Sequence, residues 1–513
     1  APMTKTIVIG AGAAGAPLAA RLSEDRDREV LVIEAGSVSA DVPPELLDAS
    51  TVQAAAPGHP ANWAYPADLA PGVPYLVARG RVLGGSSTIN GGGFVRPRPE
   101  DCAAWAAAAG PAWSYEALLP VMRALERDLD FGAGPVHGDA GPIPVRRPSQ
   151  DNPAARAFAA AALECGFRLE HDKNAPGMPG VGPIPSNIVD GVRVNTGLAY
   201  LAEARGRPNL RLIGDTQAQR IVFQCTRAIG VETSDGVHVA DEIVLCAGSI
   251  GSTQLLLASG IGPRADLEAL GIPLVADLPV GQAFSDHPHV TLPWRAARRL
   301  GTASERFAFS TALNFFSGVR AEAGARDFTS TGDLEILLAV KPIDYLLSGA
   351  FADSTAQPEG EPFQLIISLQ GPEGRGRITL ASADPLTPPR IEYRYLESAV
   401  DRARLRVGVR TAAAVLRADA FASVFAGFRD LDDRTLADDA LLDAWIRAHL
   451  GTALHLSGTA PMGTVTDAAG RVRDVQGLRV ADTSILPVVP TRGPSASAVL
   501  IGEVVARAIR SGG

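Results

Sequence analysis

Lysine is nearly missing from this 513-residue sequence: Lys5, Lys173 and Lys341 are its only three. Arginine supplies almost all other positive charge. With Ala, Gly and Pro so abundant, this bias reads as GC-rich coding rather than as a physical device. A basic face is also missing. The formal net charge is −9 and the isoelectric point is near 5.5, which argues against a nucleic-acid partner and gives no reason to expect an anionic membrane. No run of about 18 apolar residues occurs, so no transmembrane segment is expected. Cysteine is scarce. Cys102, Cys165, Cys225 and Cys246 form no C-x-x-C pair and no zinc spacing. No metal is therefore expected, and reduced thiols and a cytoplasmic setting are. The first strand begins almost at once, which argues against a leader peptide. What is present is 46% hydrophobic and 20% charged, the balance of an ordinary globular enzyme. The length exceeds one compact core, so two or more lobes are expected.

The apolar run Thr6–Ile9 is followed by Gly10-Ala-Gly-Ala-Ala-Gly15 and then by a helical pattern over Ala16–Leu22, with Leu18, Ala19 and Leu22 on one face. Val30–Ile33 is a second buried strand ending at Glu34. A lone G-x-G-x-x-G says little. Here a strand precedes it, a helix follows it and an acid closes the next strand, which makes it specific for a dinucleotide. Gly10 permits the tight turn, Gly12 lets the backbone approach the pyrophosphate, and Gly15 lets helix and strand pack closely. Ala13 and Ala14 open the helix, whose free N–H groups favour phosphate charge. Glu34, with Ala35 beside it, is placed to accept hydrogen bonds from ribose hydroxyls. A nicotinamide enzyme would continue with regular β-α alternation. This chain opens instead into a Gly/Pro-rich stretch over residues 36–100 with a second glycine cluster, as expected where an extended flavin is covered along its length.

Leu210–Ile213, Ala218–Phe223 and Ala228–Val231 are expected to form a strand meander. Glu242–Leu245 reads as a buried strand running into Ala247 and Gly248, with a helix over Gln254–Ala258. Between about 290 and 440 the pattern changes to alternating strands such as Glu335–Val340 and Gln364–Ser368, then an Ala/Arg-rich helix near 401–416. Phe307, Phe309, Phe315 and Phe316 are candidates for an apolar lining or for ordinary core.

The segment Gly80-Arg-Val-Leu-Gly-Gly-Ser-Ser-Thr-Ile-Asn90, with Phe94 and Pro97 beyond it, resembles the first signature of the glucose–methanol–choline (GMC) oxidoreductases. The segment Gly248-Ser-Ile-Gly-Ser-Thr-Gln-Leu-Leu-Leu-Ala-Ser-Gly-Ile-Gly262 resembles the second, with Thr253 where that family usually has Pro. His137-Gly-Asp-Ala-Gly-Pro142, Asp286-His287, Gly374-Arg-Gly376, Asp384-Pro385 and Gly477-Leu-Arg-Val-Ala-Asp482 extend the likeness over nearly the whole chain, in order. The resemblance implies an α/β chain, α+β overall. A Rossmann-type FAD-binding lobe would be joined to a substrate lobe built on a mixed or antiparallel sheet with covering helices. Residues 1–145, 190–290 and 448–513 are expected in the FAD-binding domain, and 146–189 and 291–447 in the substrate-binding domain. Arg81, Gly85, Ser86, Asn90, Gly91, Gly92, Ala247 and Gly248 would lie along the cofactor. Ala218 would offer its backbone to adenine, and Asp482 would serve the ribityl–phosphate region. Some members link FAD covalently through a His just before the loop Asn. That position is Ile89 here, so noncovalent FAD is expected.

Among the eight histidines, His455 stands apart. Leu454-His-Leu-Ser-Gly-Thr-Ala460 matches the family's catalytic-histidine segment. The resemblance makes His455 the general base that takes the hydroxyl proton as hydride leaves an alcohol-type carbon for flavin N5. An imidazole of pKa about 6.5 suits that task. The family's second catalytic position, usually His or Asn, falls on Gly493 in Pro490-Thr-Arg-Gly-Pro-Ser-Ala-Ser497. Arg492, Thr491, Ser495, a backbone group or a water would have to take over. That ending is also similar to GMC dehydrogenases associated with mycofactocin. The expected function is FAD-dependent oxidation of a small alcohol, with oxygen, a quinone or a redox cofactor as acceptor. Two alternatives stand beside it: a flavin enzyme of the lyase or photodecarboxylase kind, without net redox turnover, and an electron-transfer flavoprotein feeding a dedicated acceptor.

Overall fold

The computed structural model describes residues 3–298, 300, 306–322, 325–342, 346–347 and 363–512. In chain order, the elements that frame its main cavity begin with strand β1 (Thr4–Ile9), helix α1 (Gly15–Leu22), strands β2 (Arg28–Ile33), β3 (Leu210–Ile213) and β4 (Glu242–Leu245), and helix α2 (Gly248–Ala258). Strands β5 (Pro288–Ala296), β6 (Phe309–Phe315), β7 (Leu334–Ala339) and β8 (Phe363–Leu369) follow, then helix α3 (Ala399–Arg417), strand β9 (Leu478–Val480) and helix α4 (Ser495–Arg510).

One sheet is parallel throughout, in the order β3-β2-β1-β4-β9. Its strands are near-continuous apolar runs, the pattern of a parallel sheet buried on both faces. Ile7, Val8 and Ile9 of β1 and Val30, Val32 and Ile33 of β2 are buried in one core with Leu18 and Leu22 of α1 and Val499 and Leu500 of α4. The expected meander is shifted by one strand. Leu210–Ile213 lies parallel beside β2 at the edge of this sheet, whereas the meander consists of Ala218–Gln224, Arg227–Thr233 and Gly236–Val239. The cause is the turn between them, where Asp215 takes φ +51° and redirects the chain. Helix α2 begins at Gly248, six residues before the expected start at Gln254. Asp482, contributed from far along the chain, accepts the Gly248 N–H and the Ser252 hydroxyl and so stabilises the first turn.

The other large sheet is antiparallel and runs Phe425–Phe428, β5, β8, β7, β6, Val181–Pro183, with Leu450–Thr452 also paired to β5. Side chains alternate between its faces. Ile336, Leu338, Leu365 and Ile367 pack with Leu405, Val409 and Ala412 of α3, while Glu335, Leu337, Ile366 and Ser368 line the cavity. Cross-strand register sets His289, Ser368 and Glu335 side by side in one row.

A buried ion cluster braces the segment between the two sheets. His137 faces Glu126 through Nδ1 at 2.9 Å and Asp172 through Nε2 at 2.7 Å, with Asp128 3.1 Å from Nδ1. Carboxylates on both ring nitrogens demand an imidazolium, and these acids hold its pKa up at about 10 despite burial. Glu126, Asp128 and His137 lie close enough to hold a metal ion. Arg96 and Arg147 already neutralise the carboxylates, however, so the cluster reads as a clasp. Its far arm carries Asp172, next to Lys173 of the cavity wall.

The raised His137 pKa stabilises the fold fully below the unfolded value of about 6.5, and this contribution fades as pH rises toward 10. Asp128, held low by His137 and Arg147, adds stability that is lost on acidification. His137→Gln is therefore expected to lower the melting temperature most between about pH 4.5 and 6.5. The deficit should shrink steadily toward pH 10. A deficit independent of pH would show that the clasp acts by packing alone.

Candidate active site

Residues just beyond β1, β2, β4 and β9 converge on a cavity of about 860 Å3: Gly10, Glu34, Ala247 and Asp482 all line it. This is the crevice at the carboxyl ends of parallel strands where ligands bind in doubly wound sheets. The cavity then passes under the antiparallel sheet and ends against His455 and Gly493.

At the strand end, the glycine loop is tightly fitted. A Cβ on Gly10 (φ +98°) would sit 2.4 Å from the Cys246 carbonyl oxygen, and one on Gly15 would sit 1.9 Å from that of Gly10. Gly12 meets only Gly85 Cα at 3.7 Å, whereas Gly85 (φ +52°) could not carry a Cβ, which would fall 2.7 Å from Gly12 Cα. The two glycine clusters thus cross backbone to backbone. Glu34 is 5% exposed. Its Oε2 accepts the Ala11 N–H and its Oε1 the Gly36 N–H, both at 2.9 Å, so the acid shapes the loop while its remaining lone pairs face the cavity.

Gly10, Gly12, Ala13, Ala14, Glu34, Ala35, Gly85, Ser86, Asn90, Gly91, Ala218, Ala247, Gly248 and Asp482 line this cavity. Three other expected contacts do not. Gly15 packs α1 on the loop, and Gly92 abuts Ile188. The exposed Arg81 side chain reaches the Ala35 carbonyl at 3.4 Å and stacks on Trp63. The oxygens of Asp482 are already engaged by Gly248, Ser252 and Ser484. The acid thus works first as a clamp between β9 and α2. The glycine-loop end of the cavity is rich in backbone N–H, a donor set that fits a dinucleotide.

At the far end stands His455. Its Nδ1 lies 2.8 Å from Nδ1 of His287, with the rings edge to face. Asp286 Oδ1 accepts the backbone N–H of His287 at 2.6 Å and of His455 at 2.7 Å. A Cβ on Gly493 would lie 3.3 Å from both Cε1 and Nε2 of His455. Glycine therefore leaves open space against the very edge of the ring that faces the cavity. Burial first, then His287 and Arg79, push the His455 imidazole well below its ordinary range. His287 is fully buried and held at about 3 by burial. Both rings are thus neutral near neutral pH, with one proton shared between the two Nδ1 atoms.

Arg492, placed beside the cleft by the sequence, is 1% exposed and lines the cavity. Ser495 lines it from the first turn of α4, whose N-terminus favours negative charge. Phe309 reaches the wall, but Phe315 is core, Phe307 packs against that core, and Phe316 lies under Arg320. The resemblance implied a structural or flavin-side role for His287 and His289, but sequence reasoning missed His287 as the ring partner of His455, and it missed Arg79, Lys173 and Glu335 in the wall. The Asp286-His287 match was the available signal, but nothing local shows which ring His287 meets.

The glycine crossing generates a test. Gly12→Ala makes only an ordinary contact, so the flavin-free protein should melt close to wild type while retaining little flavin. Gly85→Ala should lose both flavin and stability. Visible flavin absorbance relative to protein absorbance, with thermal melts, reads both. Full flavin retention by Gly12→Ala would remove the pyrophosphate from this loop.

Residues 4–289 match the N-terminal domain of the GMC oxidoreductases and residues 372–502 the C-terminal domain. The chain is 37% identical over 512 residues to an uncharacterised GMC-type oxidoreductase of the thcA 5' region of Rhodococcus erythropolis, covering 97% of this chain and 96% of that one. It is 35% identical over 541 residues to an oxygen-dependent choline dehydrogenase of Yersinia pseudotuberculosis, covering 98% and 93%. Pyridoxine 4-oxidase from Mesorbium loti superposes with a TM-score of 0.87 at 29% identity, covering 99% of each chain. With the glycine crossing, the strand-end crevice and the His455 turn in place, the chain belongs to the GMC oxidoreductase family, the FAD-dependent oxidoreductases that act on CH–OH groups.

Proposed function

We propose that this protein oxidises a small alcohol-type substrate, with His455 as the general base and noncovalently held FAD. The observation that carries the reading is the paired, neutral His455–His287 unit at the end of the cavity. Bound FAD would supply the hydride acceptor. The glycine loop, Glu34 and the Gly85–Gly91 strap would hold it. Ile89 in that strap carries no nucleophile. Cys246 also lines the cavity, but burial beside Asp482 holds its thiol well above the ordinary range and un-ionised. Both support noncovalent attachment.

For Nε2 of His455 to accept the hydroxyl proton, its Nδ1 must carry the ring proton and donate to Nδ1 of His287. His287 then bears its own proton on Nε2. Asp286 holds the backbone N–H groups of both residues and so fixes where the two rings meet. As His455 takes the proton, negative charge develops on the substrate oxygen. Arg79 and the N-terminus of α4 are the groups in the wall that favour it. The cationic surroundings that depress the His455 pKa are thus the same ones that stabilise an alkoxide. The open space at Gly493 admits the carbon being oxidised, or a water, where a side chain would otherwise stand.

His455→Ala is expected to keep its flavin and slow substrate reduction at least about 100-fold, the lower end for a lost general base. Since the folded pKa of His455 is lowered, its base form persists below the ordinary value. Wild-type reduction should therefore hold its plateau as pH falls through about 6.5. Flavin loss in His455→Ala would make the residue structural, and a wild-type rate would remove it from proton transfer. On acid precipitation the yellow colour should leave with the supernatant; colour kept in the pellet would mean a covalent link.

A further inference from the structure

We infer that Arg492 is a carboxylate-binding residue, so that the preferred substrate is a small hydroxy acid rather than a neutral alcohol or an amino alcohol. The inference rests on the alcohol-oxidation reading and names the substrate class for the same site.

Arg492 stands one residue from the gap at Gly493 and lines the cavity that His455 closes. Its Nη1 donates to the Thr491 carbonyl at 2.7 Å. Its Nε and Nη2, buried against the wall, have no hydrogen-bond partner among the described residues. These two nitrogens form one edge of the guanidinium, and their N–H groups run parallel. This edge is the fork that binds the two oxygens of a carboxylate. A buried cation with an empty fork is costly unless something fills it.

The nearby acids do not fill it. Glu170 is held by Lys173 at 2.6 Å and approached by Arg98 at 3.7 Å. Asp101 is engaged by Arg326 and by the Thr491 N–H, and Glu335 accepts from Asn314 at 3.0 Å. Among the described residues no acid comes within ion-pairing distance of Arg492. The cavity wall presents Arg79 and Arg492 against Glu335, with Lys173 neutralised by Glu170. That excess of positive charge repels an ammonium and attracts an anion. It also gives the base what it lacks. An anion set beside His455 raises the proton affinity of a ring that burial and cations hold down.

The test uses oxidised, FAD-loaded protein without oxygen. Hydroxy acids of graded length are each paired with their primary amide, and flavin reduction is followed by stopped flow. Acetate and acetamide serve as non-reacting probes of the flavin spectrum. Each acid should outperform its amide by at least about tenfold in reduction efficiency, the factor of one charge-assisted interaction. Acetate, but not acetamide, should perturb the spectrum of wild type. In Arg492→Ala and Arg492→Gln both discriminations should collapse, and Arg492→Lys should recover only part of them.

Amides that react as well as acids, with acetate silent, would overturn the carboxylate site and leave the alcohol reading standing. Acetate binding through Arg492, with no alcohol of either kind reducing the flavin, would do the reverse. A shifted flavin spectrum or lost flavin in both Arg492→Gln and Arg492→Lys, without any anion, would show that the fork belongs to the cofactor and overturn the proposal.

Discussion

One carboxylate oxygen joins the two halves of this site. Asp286 Oδ1 accepts the N–H of the adjacent His287 and that of His455, 169 residues away. It thereby ties the start of β5, at the rim of the antiparallel sheet, to the turn that carries the base. The acid is buried, and burial raises its pKa to about 6 while the two N–H groups pull it down. Such a group is kept buried only when its hydrogen bonds are made. At Oδ1 they are made by the backbone that it organises. The position of His455 over the cavity, its contact with His287 and the pairing of Leu450–Thr452 with β5 all depend on that junction.

The same economy governs the opposite end of the cavity. Glu34 uses both oxygens to hold the glycine loop, and Asp482 clamps α2 to the last parallel strand. Each of these acids was expected to face a ligand. Each instead first satisfies backbone donors around the space the ligand needs. Preorganised N–H groups cost no reorganisation on binding, so an acid that fixes a loop serves the ligand indirectly as well as by contact. The cluster at His137 plays a comparable part further out, bracing the arm that leads to Lys173.

Charge is unevenly spread in a chain that is acidic overall. The net charge is −9, yet the cavity wall gathers Arg79, Lys173 and Arg492. Two of the three lysines of the whole sequence are buried at 2% exposure, and that of the cavity wall, Lys173, is neutralised by Glu170 and bonded to Gly180 and Asn314. Burial of this kind is expensive unless every donor is used. Lys173 meets that condition, whereas Arg492 leaves an edge of its guanidinium open.

Local chemistry was enough to read the β-α-β entry, the glycine loop and the acid at the end of β2, because each depends on neighbours within a few residues. The family's ordered motifs made His455 legible as a base and Gly493 as a departure from the usual second group. The sequence could not show that Leu210–Ile213 leaves the meander for the parallel sheet, since its apolar pattern suits either edge and the turn at Asp215 decides. Nor could it place the start of α2, which is set by a carboxylate from residue 482. The partner of His455 was equally hidden: His287 has the same local signature whether it faces solvent, cofactor or another ring. Arg492 shows the division most plainly. From sequence, a side chain beside Gly493 and Pro494 could point outward or inward, because a turn permits both. Only the tertiary structure buries it and leaves one edge of its fork unpaired, because side-chain direction follows from contacts between segments far apart in the chain.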